Sequence, residues 1–165
     1  MMTSGEPNIY LCNVPSAHSI ASSLGERCGV LEYQLPLALN GITPGAVLVL
    51  RPAPEHLMQD DGVARLDECV QACRQASIFL ALSTSPRSRC DSGSIRAVTR
   101  SNLLCMERAA QWNLGLVDLD VSLAFGGAEN VGESSDELSA KGIIVVTVLL
   151  REAVEVFFGM STKGG

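Results

Sequence analysis

Short apolar runs closed by turn residues alternate along this chain with stretches of helical period, and no other feature constrains its fold so tightly. Residues 9–14 read as a buried strand ended by Pro15, and residues 16–27 as a helix carrying Ile20 and Leu24 and closed by Gly29. Residues 30–35 alternate Leu31, Tyr33 and Leu35 with Glu32 and Gln34, the pattern of an edge strand with one wet face, and stop at Pro36. Turn signals at Asn40-Gly41 and Pro44-Gly45 leave residues 37–44 as a loop or one helical turn. Residues 46–50 are continuously apolar, as a central parallel strand buried on both faces requires.

The alternation continues in the second half. Leu66, Cys69, Val70 and Cys73 recur at helical spacing across residues 62–76, and residues 78–82 form a fourth strand. Ile95, Val98, Asn102, Cys105, Ala109 and Trp112 share one side of a long helix broken at Asn113 and Gly115. Residues 116–121 read as a fifth strand with Asp118 and Asp120 near its carboxyl end. After a loop through Gly126, Gly127 and Gly132, a last helix is expected to begin at Ser134, where Glu137 completes a capping box. The β-branched run at 143–148 admits a strand, but the pattern extends through Glu155, and that length favours helix. Five parallel strands with intervening helices predict a three-layer, doubly wound α/β domain. Ligands in such folds bind beyond the carboxyl ends of the strands. That points to the loops at 13–19, 51–61, 83–94 and 118–136.

The 165 residues fit one domain, 1–165, with short polar tails at 1–7 and 161–165. A hydrophobic share of 47% with a net charge of −6 excludes disorder, and an acidic balance argues against a duplex nucleic-acid binder. Charged residues make up 18%, below the roughly 25% of ordinary soluble domains, which suggests reliance on a protein partner. The longest apolar run, residues 143–150, is too short to span a bilayer. Six cysteines without a secretory signal read as free thiols in a reducing, intracellular and cytoplasmic setting, with Cys69 and Cys73 in the core and no metal site. Asn13-Val14-Pro15-Ser16 after the first strand has neither a dinucleotide fingerprint nor a P-loop, so no cofactor is expected. Nor does that strand end offer the paired carboxylates of a phosphoacceptor pocket.

The stretch from Asn102-Leu103-Leu104 to Leu119-Asp120, and the segment Asp136-Glu137-Leu138-Ser139-Ala140-Lys141-Gly142 before a long apolar helix, resemble the SGNH or GDSL hydrolases. The resemblance covers about residues 76–158; the amino-terminal half fits by strand order. It implies a flavodoxin-like sheet of order 2-1-3-4-5, a nucleophile after the first strand in a Gly-Asp-Ser setting, a Gly-x-Asn-Asp oxyanion segment after the third, and an Asp-x-x-His region before the last helix. This chain departs at each motif. It has Asn13-Val14-Pro15-Ser16 at the first and Arg51-Pro52-Ala53-Pro54 at the second. Alignment on Ser139-Ala140-Lys141-Gly142 puts Glu137 at the histidine position and Ser134 at the aspartate.

A serine without a neighbouring base is a poor nucleophile near neutral pH. The expectation is therefore a non-catalytic SGNH-like domain serving as a protein-binding or assembly module. One alternative is an ester hydrolase with a rearranged site drawn from Ser16, His18, His56 and Asp118; another is a small-molecule sensor. Arg87, Arg89, Arg96 and Arg100 cluster after the fourth strand as candidates for binding a phosphate or an acidic peptide, or else solvate a loop and a helix face. Asp118 and Asp120, if they alternate on a strand, share one face, where they hold a hard cation or bond to neighbouring loop amides.

Overall fold

A computed structural model describes residues 7–87, 93–125 and 137–163. Five strands run in the order expected, β1 (Ile9–Cys12), β2 (Cys28–Leu31), β3 (Val47–Leu50), β4 (Phe79–Ser83) and β5 (Gly115–Val117). They form one parallel sheet of order β2-β1-β3-β4-β5. The six helices among the described residues are α1 (Ala17–Leu24), α2 (Pro54–Leu57), α3 (Gly62–Gln75), α4 (Ser94–Trp112), α5 (Leu119–Phe125) and α6 (Ala140–Lys163). No helix among the described residues is long and apolar enough to cross a membrane.

Period-two alternation along the strands builds two cores. Ile9, Leu11, Val47, Val49, Ala81 and Val117 face α1, α5 and α6. Cys12, Leu48, Leu50, Leu80 and Leu82 face the opposite layer, with Leu66, Cys69, Val70 and Cys73 of α3 and Cys105 of α4 packed on them. The central strand β3 is buried at all four positions, as its unbroken apolar run requires. The five cysteines among the described residues are free thiols.

Several boundaries differ from the sequence reading. The first helix stops at Leu24, because Gly25 takes a φ of 94° that ends it, and Gly29 lies inside β2. The edge strand is accordingly Cys28–Leu31 and not 30–35. Residues 116–121 are not one strand. β5 ends at Val117, and the carboxylate Oδ1 of Asp118 accepts the Val121 N–H at 3.2 Å, capping α5. Asp120 thus lies in a helix, and the two aspartates do not alternate on a strand. The last segment is helical as expected but begins at Ala140, where Ser139 Oγ accepts the Gly142 N–H at 3.1 Å. Ser134 and the glycine loop lie outside the described residues.

Candidate functional site at the carboxyl ends of the strands

The chain reverses sharply after β1. Asn13 and Ser16 both adopt left-handed backbone conformations, with φ of 59° and 53°. This aims Ser16 across the strand ends toward the segment before α6, and its Oγ accepts the Leu138 N–H at 2.8 Å. Residue 138 directly follows Glu137, so the contact brings Ser16 beside the segment that leads into α6. A groove of about 380 Å³ runs beside Ser16, walled by Asn13, His18, Ser19, Glu32 and Tyr33.

Arg51, immediately after β3, occupies the middle of this face and is 7% exposed. Its Nε donates to the Asn13 carbonyl at 2.6 Å and its Nη1 to Ser85 Oγ at 3.1 Å. The Asn13 side-chain amide answers by donating to the Arg51 carbonyl at 2.9 Å. One side chain therefore ties the ends of β1, β3 and β4 together.

The segment after β4 is strapped down from two further sides. Asn102 of α4 accepts the Ser85 N–H at 2.8 Å and donates back to the Ser85 carbonyl at 2.9 Å, which explains a polar residue in the buried phase of that helix. Arg87 donates from its backbone N–H and its Nε to the two carboxylate oxygens of Asp120, both at 2.8 Å. Thr84 Oγ1 donates to Asp118 Oδ1 at 2.8 Å and accepts the Asp120 N–H at 3.1 Å. Both aspartates thus bond to neighbouring loop and helix groups. Among the described residues, no group of His, Cys, Asp and Glu side chains is arranged to hold a metal ion.

The rearranged Ser/His site, the alternative to a non-catalytic domain, is not assembled by hydrogen bonds. The His56 ring stacks on Tyr33 with centroids 5.5 Å apart, and its Nδ1 lies 3.3 Å from the Tyr33 hydroxyl, which accepts the Ala53 N–H at 3.1 Å. His18 is exposed on α1, Asp118 is held by Thr84, and no hydrogen bond joins any two of Ser16, His18, His56 and Asp118. The arginine cluster is divided as well: Arg87 is paired with Asp120, Arg96 and Arg100 are exposed on α4, and Arg89 and Asp136 lie outside the described residues. Sequence reasoning missed Arg51 as a structural residue. The available signal was a cation abutting the carboxyl end of a fully buried strand.

At the level of sequence, no family model and no curated protein matches the chain. Solved structures do. A member of the lipolytic protein G-D-S-L family from Veillonella parvula superposes with a TM-score of 0.66 at 12% identity, covering 89% of this chain and 96% of that one. The fold is that of the SGNH/GDSL hydrolases. A GDSL-like lipase from Bacteroides thetaiotaomicron gives 0.63 at 9% identity over 92% of this chain and 88% of that one. The lipase/acylhydrolase from Enterococcus faecalis gives 0.60 at 13% over 91% and 95%. The SGNH-like architecture therefore spans both halves of the chain, including the amino-terminal half, where the sequence resemblance rested on strand order.

Proposed function

We propose that this SGNH-like domain is non-catalytic and acts as a protein-binding or assembly module in a reducing compartment. The observation that carries the reading is Arg51. An oxyanion site needs donors aimed into open space where charge develops. At the end of β3 stands instead a buried guanidinium whose Nε and Nη1 are engaged by Asn13 and Ser85. Ser16 is correspondingly unsupported as a nucleophile, since its hydroxyl meets a backbone amide and no imidazole. The low charged fraction and the exposed apolar side chains on α4, α5 and α6 favour contact with another protein.

A hydrolase built on Ser16 has one observation in its favour, the shared groove that Ser16 and His18 line. The same groove is where a small-molecule sensor would take its ligand. Assay of the full chain with short-chain aryl esters separates the first two readings. The expected result is no turnover above the buffer rate, unchanged by Ser16→Ala. Turnover that Ser16→Ala removes would overturn the non-catalytic reading.

A further inference from the structure

Helix α4 presents exposed apolar side chains beside its buried face. Its inner side, with Val98, Asn102, Cys105 and Ala109, is buried, and one flank meets α3 through Arg108 Nε to Asp67 at 3.1 Å. Ile95, Thr99, Leu103, Met106 and Ala110 follow one another at spacings of three or four residues, which places them on a single stripe of the opposite flank. Leu103 is 61% exposed, Ile95 38% and Met106 36%. Leu116 of the edge strand β5 pairs with Leu82, on the face of the sheet that α4 covers, and is 37% exposed, which adds an apolar side chain at the sheet edge on that side.

The charges bordering this stripe are arranged for a copy of itself. Arg96 and Arg100 follow it in the first half of α4 and Glu107 in the second, all exposed. Among the described residues, Arg96 and Arg100 form no ion pair and Glu107 pairs with the Nη1 of its neighbour Arg108 alone, at 3.5 Å. When two α4 helices cross antiparallel at Leu103, Arg100 of each chain faces Glu107 of the other, because the two lie nearly equally far on either side of the crossing. A two-fold axis repeats the pairing, giving two opposite-charge contacts along the solvent edge of the apolar stripe. Two chains of net charge −6 repel at long range, and local complementarity of this kind offsets that repulsion at contact.

We infer that the α4 stripe with Leu116 is the contact surface of a two-fold dimer of this chain. The inference names a partner for the assembly role and rests on that reading. One helix pair with a short strand edge is a small interface, of the transient class. Sedimentation equilibrium of the full chain across the micromolar range is expected to show a reversible shift toward twice the chain mass. Leu103→Glu should leave a folded monomer, with unchanged circular dichroism and thermal midpoint because the side chain is exposed. Arg100→Glu alone and Glu107→Arg alone should each weaken association by about tenfold, and the two together should restore it. A chain that stays monomeric, including one whose α4 serves a different protein, overturns the dimer, as does a dimer indifferent to all of these substitutions. A monomer leaves the non-catalytic reading intact, whereas Ser16-dependent esterase activity in a dimeric chain defeats that reading and spares the interface.

Discussion

A guanidinium taken out of water keeps its charge, so its lost hydration must be replaced by close hydrogen-bond acceptors. Arg51 has such acceptors in Asn13 and Ser85, and their positions depend on it in turn. Arg51→Met should therefore leave a buried carbonyl and hydroxyl without their donor, at a cost of about 2–4 kcal/mol in urea unfolding. Arg51→Lys should recover little of that, because one ammonium cannot reach both acceptors as the fork does. A neutral Arg51→Met would show that the arginine is not the clamp between β1, β3 and β4. The same scale explains what the sequence left open about Ser16, His56 and Asp118. Residue types announced candidate chemistry, but their partners, Leu138, Tyr33 and Thr84, are more than twenty residues away in sequence and are chosen by the fold.

Elements were legible wherever burial imposed a period and less so at their ends. The α3 pattern and the apolar run of β3 each matched because one or both faces are buried along the whole element. The ends were decided by single capping contacts, Asp118 for α5 and Ser139 for α6, and serines and aspartates are too frequent near helix starts for the right one to stand out. β5 illustrates how tightly the elements then pack. A Cβ added at Gly115 would lie 2.7 Å from the Phe157 ring of α6 and 2.9 Å from Cβ of Ala81 in β4. Gly115→Ala should cost about 1–3 kcal/mol by forcing α6 off the sheet edge, measurable as a lowered denaturation midpoint. Gly159→Ala, where an added Cβ would meet no described atom within contact distance inside α6, should leave stability at or up to about 1 kcal/mol above wild type.

Across the whole molecule, burial acts on the thiols in one direction. Desolvation pushes Cys12, Cys73 and Cys105 up to about 12 and Cys69 to about 11, from an ordinary 9.0. The unfolded chain therefore releases these protons first as pH rises. Their contribution to stability is therefore complete below about pH 9 and is lost progressively as pH rises from there toward about 12. Urea unfolding under reducing conditions at a series of pH values above neutrality should show that decline, and Cys73→Ala should make it shallower by one thiol's share. A stability flat through this range would mean that the thiols are not desolvated together. The α/β class and the alternation of core faces were determined by sequence alone, because hydrophobic period is a local property that any solution of the fold must bury. What only the tertiary structure decided is the fate of the strand ends. Whether Arg51 solvates a loop or fills the cleft, and whether Ser16 meets an imidazole or an amide, depends on which distant segments the sheet order brings together.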